Sequence, residues 1–359
     1  MTVRFGFIGL GKMGVSHLSI FAAHPDVVVG GIADPSSFIR PVVEKHLGFK
    51  TYKDYKKLID SGEVDAVVVA TPSRTHAEIA TYAMDRGLHV FVEKPLTLAV
   101  EDSKRLVDLA SSKGVANQVG YHNRFIATFR ETKRLIDSGA LGTIYQVSGE
   151  AYGQVVIKQS GSTWRSQKAE GGGCLHDYCS HVIDLMNYLV GPPEEILGAS
   201  LQSIYSAEVE DAVFATMGYP GGLTGQLSIN WSDDTYRKMS TQITVLGTNG
   251  KISVDRQECK VYLREEVGED RYSQGWTIRY ITDLQEPVDF YLRGEEYSSQ
   301  ADAFVKAIQA KNVNPLNSFA SALQTDEIVD QLGKQPHRRI DPKHVRVNAP
   351  KSKKQTVSS

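Results

Sequence analysis

The stretch Val3-Arg4-Phe5-Gly6-Phe7-Ile8-Gly9-Leu10-Gly11-Lys12-Met13-Gly14 decides the fold of the first half of the chain. A short apolar run typical of a strand passes directly into the pattern G-x-G-x-x-G, and the apolar spacing from Val15 to Phe21 predicts a helix. In this context the glycines permit a tight turn, close approach of a pyrophosphate, and close packing of helix on strand. The amino terminus of the helix favours phosphate. We therefore predict a dinucleotide-binding loop that contains Gly9, Gly11, Lys12, Met13 and Gly14.

A second apolar run, Val27 to Ala33, ends at Asp34. The dinucleotide fingerprint places an acid about 20 residues after the glycines, where it binds the ribose hydroxyls. Asp34 therefore favours NAD as the cofactor, because the 2'-phosphate of NADP would meet its negative charge. Ser36, Ser37 and Arg40 lie close enough in sequence to leave NADP open.

Strands and helices continue to alternate after this point. Apolar runs at 66–70, 89–92 and 117–120 alternate with helical patterns at 77–86 and 100–113. This alternation predicts an α/β Rossmann domain, a doubly wound parallel sheet with right-handed crossovers.

Polar residues follow three of these predicted strands. Because the carboxyl ends of parallel strands meet at one edge of a sheet, we predict a binding site there. Lys94 precedes Pro95, which cannot continue a strand. The polar residues concerned are Thr71, Ser73 and His76, then Glu93 and Lys94, then Asn123 and Arg124.

The second half of the chain has a different pattern. Partially alternating runs at 144–152, 212–218, 224–231, 242–246 and 252–254 predict an α+β domain with an open, mainly antiparallel sheet. A helix is predicted from Asp177 to Val190, stopped by Gly191-Pro192-Pro193. Asp177 and His181 are four residues apart and would share one face of it.

A metal site is the competing interpretation of this segment, since Cys174, His176, Cys179 and His181 are all zinc-ligand types. On a helix, Cys179 would be turned about 200° from both Asp177 and His181. We therefore predict no metal site.

Composition excludes several classes of function. A chain of 359 residues with a net charge of -2 predicts about two globular domains, with no charge that favours nucleic acid or a membrane surface. No apolar run is long enough to span a bilayer, no signal peptide is evident, and three cysteines are too few for a disulfide framework. We expect a cytoplasmic protein.

The glycine fingerprint, Thr71-Pro72-Ser73 with His76, Glu93-Lys94-Pro95 and Gly171-Gly172-Gly173 together resemble the Gfo/Idh/MocA oxidoreductases, over roughly residues 3–335. The resemblance implies a cis bond at Lys94-Pro95 and a catalytic set of Lys94, Asp177 and His181. It also implies that Trp164 and Arg165 close over the cofactor, and that a homodimer or homotetramer forms through the second sheet.

The function expected from this resemblance is hydride transfer between NAD or NADP and a secondary alcohol of a sugar, sugar nucleotide or cyclitol. We expect a cofactor domain at 1–124, a substrate and oligomerisation domain at 125–335 with helices that pack back on the first domain, and a flexible basic tail at 336–359. Substrate binding is expected from Lys94, Tyr121, Asn123, Tyr152, His176, Asp177 and His181.

Two alternatives remain open from the sequence. The first is an NAD-dependent glycosidase on the same fold, in which transient oxidation permits elimination of the leaving group. The second is a nucleotide-binding regulator without catalysis, which the presence of Lys94, Asp177 and His181 disfavours.

Overall fold

The first domain alternates strands with helices. The structure, a computed structural model, describes residues 1–156, 164–267 and 272–340. The elements of this domain are β1 (Val3–Ile8), α1 (Lys12–Ala22), β2 (Val27–Ala33), α2 (Ile39–Leu47), β3 (Thr51–Tyr52), α3 (Tyr55–Ile59), β4 (Ala66–Val69), α4 (His76–Asp85), β5 (His89–Val92), α5 (Val100–Lys113) and β6 (Asn117–Val119).

The six strands of this domain form one parallel sheet in the order β3-β2-β1-β4-β5-β6. The strand order reverses between β1 and β4, and in such sheets a crevice opens there at the carboxyl ends of the strands. The predicted Rossmann fold is confirmed. The segments that follow β1, β4, β5 and β6 all lie at this edge.

The second domain contains a larger sheet. Its elements, together with two helices that pack elsewhere, are α6 (Ala127–Asp137), β7 (Ile144–Tyr152), α7 (Ser180–Val190), β8 (Glu195–Ser203), β9 (Ala212–Gly218), β10 (Thr224–Asn230), β11 (Gln242–Gly247), β12 (Gly250–Asp255), β13 (Glu258–Leu263), β14 (Gly275–Tyr280), α8 (Ile281–Leu284), α9 (Glu295–Gln309), α10 (Phe319–Gly333) and β15 (His337–Arg339).

The order of the second sheet is β14-β13-β12-β11-β7-β10-β9-β8-β15. The pairs β7–β10 and β8–β15 are parallel and the others are antiparallel, which confirms the predicted open, mainly antiparallel sheet. Sequence analysis missed β8, β13 and β14. In β8 and β14 few side chains are buried, so the strands are defined by backbone pairing that local apolar patterning does not reveal.

The carboxyl-terminal end of the described chain is part of the fold. Sequence analysis assigned residues 336–359 to a flexible tail, but His337–Arg339 form β15, which extends the second sheet beside β8. The Ser203 hydroxyl, on β8, lies 2.7 Å from His337 Nε2. Residues 341–359 lie outside the described residues.

The helices α9 and α10 pack on both sides of the first sheet. Tyr297 and Phe304 of α9 belong to the same apolar cluster as Phe5 and Phe91, and Phe319 of α10 belongs to the cluster on the opposite face. The helix α10 also contacts α7 of the second domain. The last part of the chain therefore holds the two domains together. None of the helices in the described residues is long and apolar enough to cross a membrane.

A buried ion pair joins the two domains close to the crevice. Arg124 follows β6, and its Nε and Nη2 atoms donate to the carboxylate oxygens of Asp184, on α7, at 2.9 and 2.7 Å. The two side chains are 5% and 1% exposed. Sequence analysis placed Arg124 on the ligand-binding edge, whereas the structure gives it this interdomain contact.

We expect Arg124→Ala to lower the free energy of unfolding by about 3–5 kcal/mol, because it leaves the Asp184 carboxylate buried without its counter-charge. Chemical denaturation followed by circular dichroism measures this change. The double variant Arg124→Met/Asp184→Leu should recover most of the loss, since it removes both charges.

The matched control is Arg105→Ala, which breaks the exposed pair with Asp102 on α5 and should cost less than about 1 kcal/mol. Equal costs for Arg124→Ala and Arg105→Ala would contradict the prediction.

Candidate active site

The glycine loop between β1 and α1 has the shape that a dinucleotide requires. Gly9 has a φ of +90°, and a Cβ on Gly14 would lie 1.9 Å from the carbonyl oxygen of Gly9. A Cβ on Gly11 would meet no atom within 4 Å. The first and third glycines are therefore required by backbone conformation and packing, and the second leaves open space where a diphosphate can approach.

The residues around this loop fit the same ligand. No side chain caps the amino terminus of α1, where Lys12 and Met13 form the first turn, so among the described residues its N–H groups face no competing acceptor. Asp34 accepts hydrogen bonds from the backbone N–H of Leu10 at 2.7 Å and of Ser36 at 2.8 Å. Asp34 thus ties the glycine loop to the end of β2, at the position that binds an adenosine ribose in this fold.

His76 braces two loops instead of facing the crevice. Its ring nitrogens lie 2.9 Å from the Pro95 carbonyl oxygen and 3.0 Å from that of Thr71, and its side chain is buried. Burial lowers the pKa of His76, although the two carbonyls favour the protonated ring. The structure therefore corrects the expected role: His76 holds the Thr71-Pro72-Ser73 turn against the segment after β5, and does not present its ring to a cofactor.

Glu93 is held in the crevice by a histidine that sequence analysis did not select. The Nε2 atom of His17, on α1, lies 2.5 Å from Glu93 Oε1, and the backbone N–H of Lys94 donates to Glu93 Oε2 at 3.2 Å. Burial favours the neutral form of Glu93, but the hydrogen bond and charge of His17 outweigh burial, so the pKa of Glu93 is lowered. The periodicity of α1 marks His17 as a core position, and only its contact with Glu93 distinguishes it.

Lys94 reaches from the first domain to Asp177 of the second. The Lys94-Pro95 peptide bond is cis. The Lys94 ammonium donates to the Asp177 carboxylate at 2.9 Å and to its backbone carbonyl at 3.0 Å, and the two side chains are 13% and 9% exposed. The sequence places these residues 83 positions apart, and the fold brings them into direct contact.

Asp177 has a second cationic partner. The Nε atom of Arg165 donates to the other carboxylate oxygen of Asp177 at 2.8 Å, and its guanidinium lies 4.7 Å from the centre of the Trp164 ring. Burial alone would raise the pKa of Asp177, but the charges of Lys94 and Arg165 hold it well below its usual range. Arg165, expected to bind the cofactor, contacts the predicted catalytic carboxylate, and Trp164 is partly exposed beside it.

The turn that carries Asp177 is a π-helix over Leu175–Cys179, whereas sequence analysis predicted an α-helix. Glu210 binds the first residue of this π-helix, because its Oε1 atom accepts a hydrogen bond from the Leu175 N–H at 2.8 Å. Glu210 also packs closely on Gly173, where a Cβ would lie 2.1 Å from the same oxygen. Single π turns of this kind are frequent at functional sites, and the local sequence does not reveal them.

His181 lies on the first turn of α7, beside the crevice. Its ring centre is 5.8 Å from that of Tyr121 and 5.1 Å from that of His122, both in edge-to-face arrangements. Burial lowers the pKa of His181 well below its ordinary value, Lys94 and His122 lower it further, and Asp177 opposes them. The imidazole is therefore neutral at physiological pH. Lys94 and Asp177 are in contact between the two domains, and His181 is close enough for both charges to affect its pKa.

Two predicted substrate residues, Tyr121 and Asn123, are buried, with exposed fractions of 1% and 4%. Tyr121 supports the ring of His181 from behind, and Asn123 lies in the 3-10 turn after β6. Both point into the protein. His122, between them, is half-buried at the crevice and was not selected from the sequence.

Two other predicted substrate residues do not join the site. On β7, Gly149 and Ala151 face α7, so Tyr152 points to the open face of the sheet, where it hydrogen-bonds the Ser228 hydroxyl at 2.9 Å and stacks on Tyr236. His176 lines a separate cavity of about 200 Å³ between the segment after Pro95 and α10. The alternation of side chains along β7 explains the position of Tyr152, and the π turn explains the position of His176.

Among the described residues, no group of three or more His, Cys, Asp and Glu side chains is arranged to hold a metal ion. Cys174 and Cys179 are buried free thiols, and burial raises the pKa of both. Neutral thiols are poor zinc ligands.

Comparisons with known proteins agree with this geometry. Residues 3–121 match the family described as "Oxidoreductase family, NAD-binding Rossmann fold", and residues 129–253 match the "GFO/IDH/MocA C-terminal domain". The rhizopine catabolism protein MocA of Rhizobium meliloti is 31% identical over 230 residues, 63% of this chain and 70% of that protein. The myo-inositol 2-dehydrogenase of Thermotoga maritima is 25% identical over 303 residues, 81% of this chain and 87% of that protein.

A solved structure of levoglucosan dehydrogenase in complex with NADH and levoglucosan has a TM-score of 0.82 to this chain at 26% identity, and the match covers 93% of this chain and 96% of that one. With its glycine loop, its Lys94–Asp177 contact and these similarities, the chain belongs to the Gfo/Idh/MocA family of NAD-dependent oxidoreductases.

Proposed function

We propose that this protein is an NAD-dependent dehydrogenase that oxidises a secondary alcohol of a sugar, sugar nucleotide or cyclitol. The observation that carries the proposal is the contact between Lys94, at the end of β5, and Asp177 of the second domain, four residues before His181, whose pKa the charges of both affect. The inositol and levoglucosan dehydrogenases among its relatives support the substrate class.

Gly9, Gly11, Gly14, Lys12 and Asp34 would hold the dinucleotide, and bound NAD supplies the acceptor for the hydride that leaves carbon. The carboxylate of Asp34 has no arginine among its hydrogen-bond partners in the described residues, which favours NAD over NADP.

Oxidation of an alcohol also releases a proton from oxygen, and His181 would accept it. Burial and the charges of Lys94 and His122 lower the pKa of His181, so its imidazole is neutral, as a general base must be. Lys94 would donate a hydrogen bond to the reacting oxygen and stabilise the negative charge that develops there. Asp177, held by Arg165 on one oxygen and Lys94 on the other, would position the ammonium.

The test is to incubate the purified protein with NAD or NADP and a panel of sugars, uronic acids, sugar nucleotides and inositols that includes levoglucosan and myo-inositol. Absorbance of the reduced cofactor reports oxidation. Release of free sugar from glycosides without net NADH formation would support the glycosidase alternative, and no turnover of either kind would support a non-catalytic nucleotide-binding protein.

We also propose a cytoplasmic homodimer or homotetramer that forms through the open face of the second sheet. That face exposes Phe214, Trp276 and Ile278 around a centre of small side chains such as Ser148 and Ser228. Light scattering measures the assembly, and Trp276→Glu should shift it toward the monomer.

We expect Lys94→Ala to lower kcat by roughly 100- to 1000-fold, because it removes a hydrogen-bond donor to the developing alkoxide. The affinity for NADH, measured by fluorescence titration, should change little, since the glycine loop is untouched. Lys104→Ala, on the exposed face of α5, is the control. Wild-type turnover in Lys94→Ala would exclude the proposed role.

The acid limb of kcat/KM for alcohol oxidation should lie below pH 6.5. The pKa of His181 is lowered by burial and by the charges of Lys94 and His122, so the imidazole stays unprotonated and active as the pH falls through the ordinary histidine value. A pH–rate profile of the wild type checks this, and His181→Asn should abolish the limb. An acid limb above pH 6.5 would contradict it.

Arg165→Ala should lower kcat by roughly tenfold to a hundredfold through misplacement of Asp177 and Lys94, with little change in KM for NAD. Arg165→Lys should retain part of the rate. Arg74→Ala, which breaks an exposed ion pair with Glu170 in the same region, is the control. A raised KM for NAD with unchanged kcat would instead assign Arg165 to cofactor binding.

A further inference from the structure

His122 is half-buried between two buried neighbours, at the carboxyl end of β6. It begins the 3-10 turn over His122–Phe125. Tyr121 and Asn123 turn into the protein, while His122 is half-buried. The side chain therefore lies at the same edge of the first sheet as Lys94, although nothing in the proposed mechanism uses it.

Two aromatic contacts hold its ring in place. The imidazole stacks on Tyr297 of α9, with ring centres 4.7 Å apart and planes 18° apart, and meets the ring of His181 edge-on at 5.1 Å. Tyr297 is itself buried and belongs to the apolar cluster on the first sheet. The orientation of His122 is thus set by packing and not by polar contacts.

The polar atoms of the His122 ring have no hydrogen-bond partner among the described residues. Within the described part of the chain, the contacts of the His122 imidazole are these two ring contacts, and no hydrogen bond is made to either nitrogen. A partly buried imidazole that leaves both nitrogens unpaired forfeits hydrogen bonds that a ligand could supply.

The charge state of His122 restricts the chemistry of such a ligand. Burial lowers the pKa of His122 to about 3, and Arg256, Lys94 and Arg293 contribute while Glu93 opposes. A neutral imidazole has one donor and one acceptor. It matches a hydroxyl group, which also donates and accepts, better than it matches a carboxylate or phosphate, which only accept.

We propose that His122 is a substrate-binding residue that recognises the hydroxyl group on the carbon next to the one that is oxidised. The inference rests on the proposed function. His181 receives the proton of the reacting hydroxyl, and a ring centred 5.1 Å from it reaches the oxygen of an adjacent hydroxyl within hydrogen-bond distance. The preferred substrate is therefore a vicinal diol, as sugars and cyclitols provide.

The test compares a diol with its deoxy analogue in matched variants. The probe is the polyol with the highest kcat/KM in the panel, starting with levoglucosan and myo-inositol, and its analogue that lacks the hydroxyl next to the oxidised carbon. His122→Phe keeps the stacking on Tyr297 and removes the polar atoms, and His122→Asn keeps a donor and an acceptor. His46→Phe, on the exposed end of α2, is the control.

We expect His122→Phe to lower kcat/KM for the diol by roughly tenfold to a hundredfold, as a lost substrate hydrogen bond does. The same variant should leave kcat/KM for the deoxy analogue within about threefold of wild type, since no hydroxyl remains to be bound. His122→Asn should retain more of the preference for the diol than His122→Phe. Thermal unfolding and NADH affinity should be unchanged.

Equal losses for diol and deoxy analogue would overturn the inference, because they would mean that His122 only packs against His181. Unchanged kinetics for both substrates would overturn it as well. If His122→Phe is destabilised, calorimetric binding of the diol to the enzyme–NADH complex of His122→Ala decides the question. An affinity equal to that of wild type would mean that His122 makes no hydrogen bond to the diol and would overturn the inference. Absence of turnover with every polyol would refute the proposed function itself.

Discussion

The carboxylate of Asp177 lies between two cations that come from different parts of the chain, and the geometry of the site depends on this arrangement. Lys94 extends from the first domain and Arg165 from the segment before the glycine run, and each occupies one carboxylate oxygen. The side chains of Lys94 and Asp177 are 13% and 9% exposed, and charges with so little solvent around them are stable only when they are paired, whereas Arg165 reaches Asp177 from a side chain that is 42% exposed. The crevice therefore has a defined width at this point, and the ammonium has a defined position.

Several buried polar contacts support this arrangement from behind. Arg124 and Asp184 join the end of β6 to α7, so the turn that carries His122 and the helix that carries His181 move as one unit. Glu210 accepts a hydrogen bond from Leu175 at the start of the π turn, and the His76 ring is hydrogen-bonded to the Pro95 carbonyl oxygen. None of these residues reaches the crevice, but each fixes an element that does.

Burial and charge together explain why the same site can hold an ionised carboxylate and neutral imidazoles. Lys94 lowers the pKa of both Asp177 and His181, because a positive charge favours the anion and disfavours the cation. Burial raises the pKa of Asp177 and so opposes Lys94, whereas burial lowers the pKa of His181 and so acts together with Lys94. Lys94 thus acts with Arg165 on the carboxylate and with burial on the imidazole, and both groups keep the charge state that the proposed mechanism needs.

The sequence by itself determined the parts of this protein that depend on local order: the strand, glycine turn and helix at β1–α1, the alternation that builds the Rossmann sheet, and Lys94, Asp177 and His181 as the candidate catalytic set. The strand, turn and alternation follow from backbone sterics and apolar periodicity, which are properties of neighbouring residues, and the catalytic set follows from short motifs that resemble those of the family. Only the tertiary structure decided that Arg165 contacts Asp177, that Tyr152 points to the other face of its sheet, and that His176 lines another cavity. It also decided that His122 is half-buried where Tyr121 and Asn123 are buried. Those facts depend on which distant segments pack together and on a π turn that shifts side-chain direction, and no local pattern carries that information.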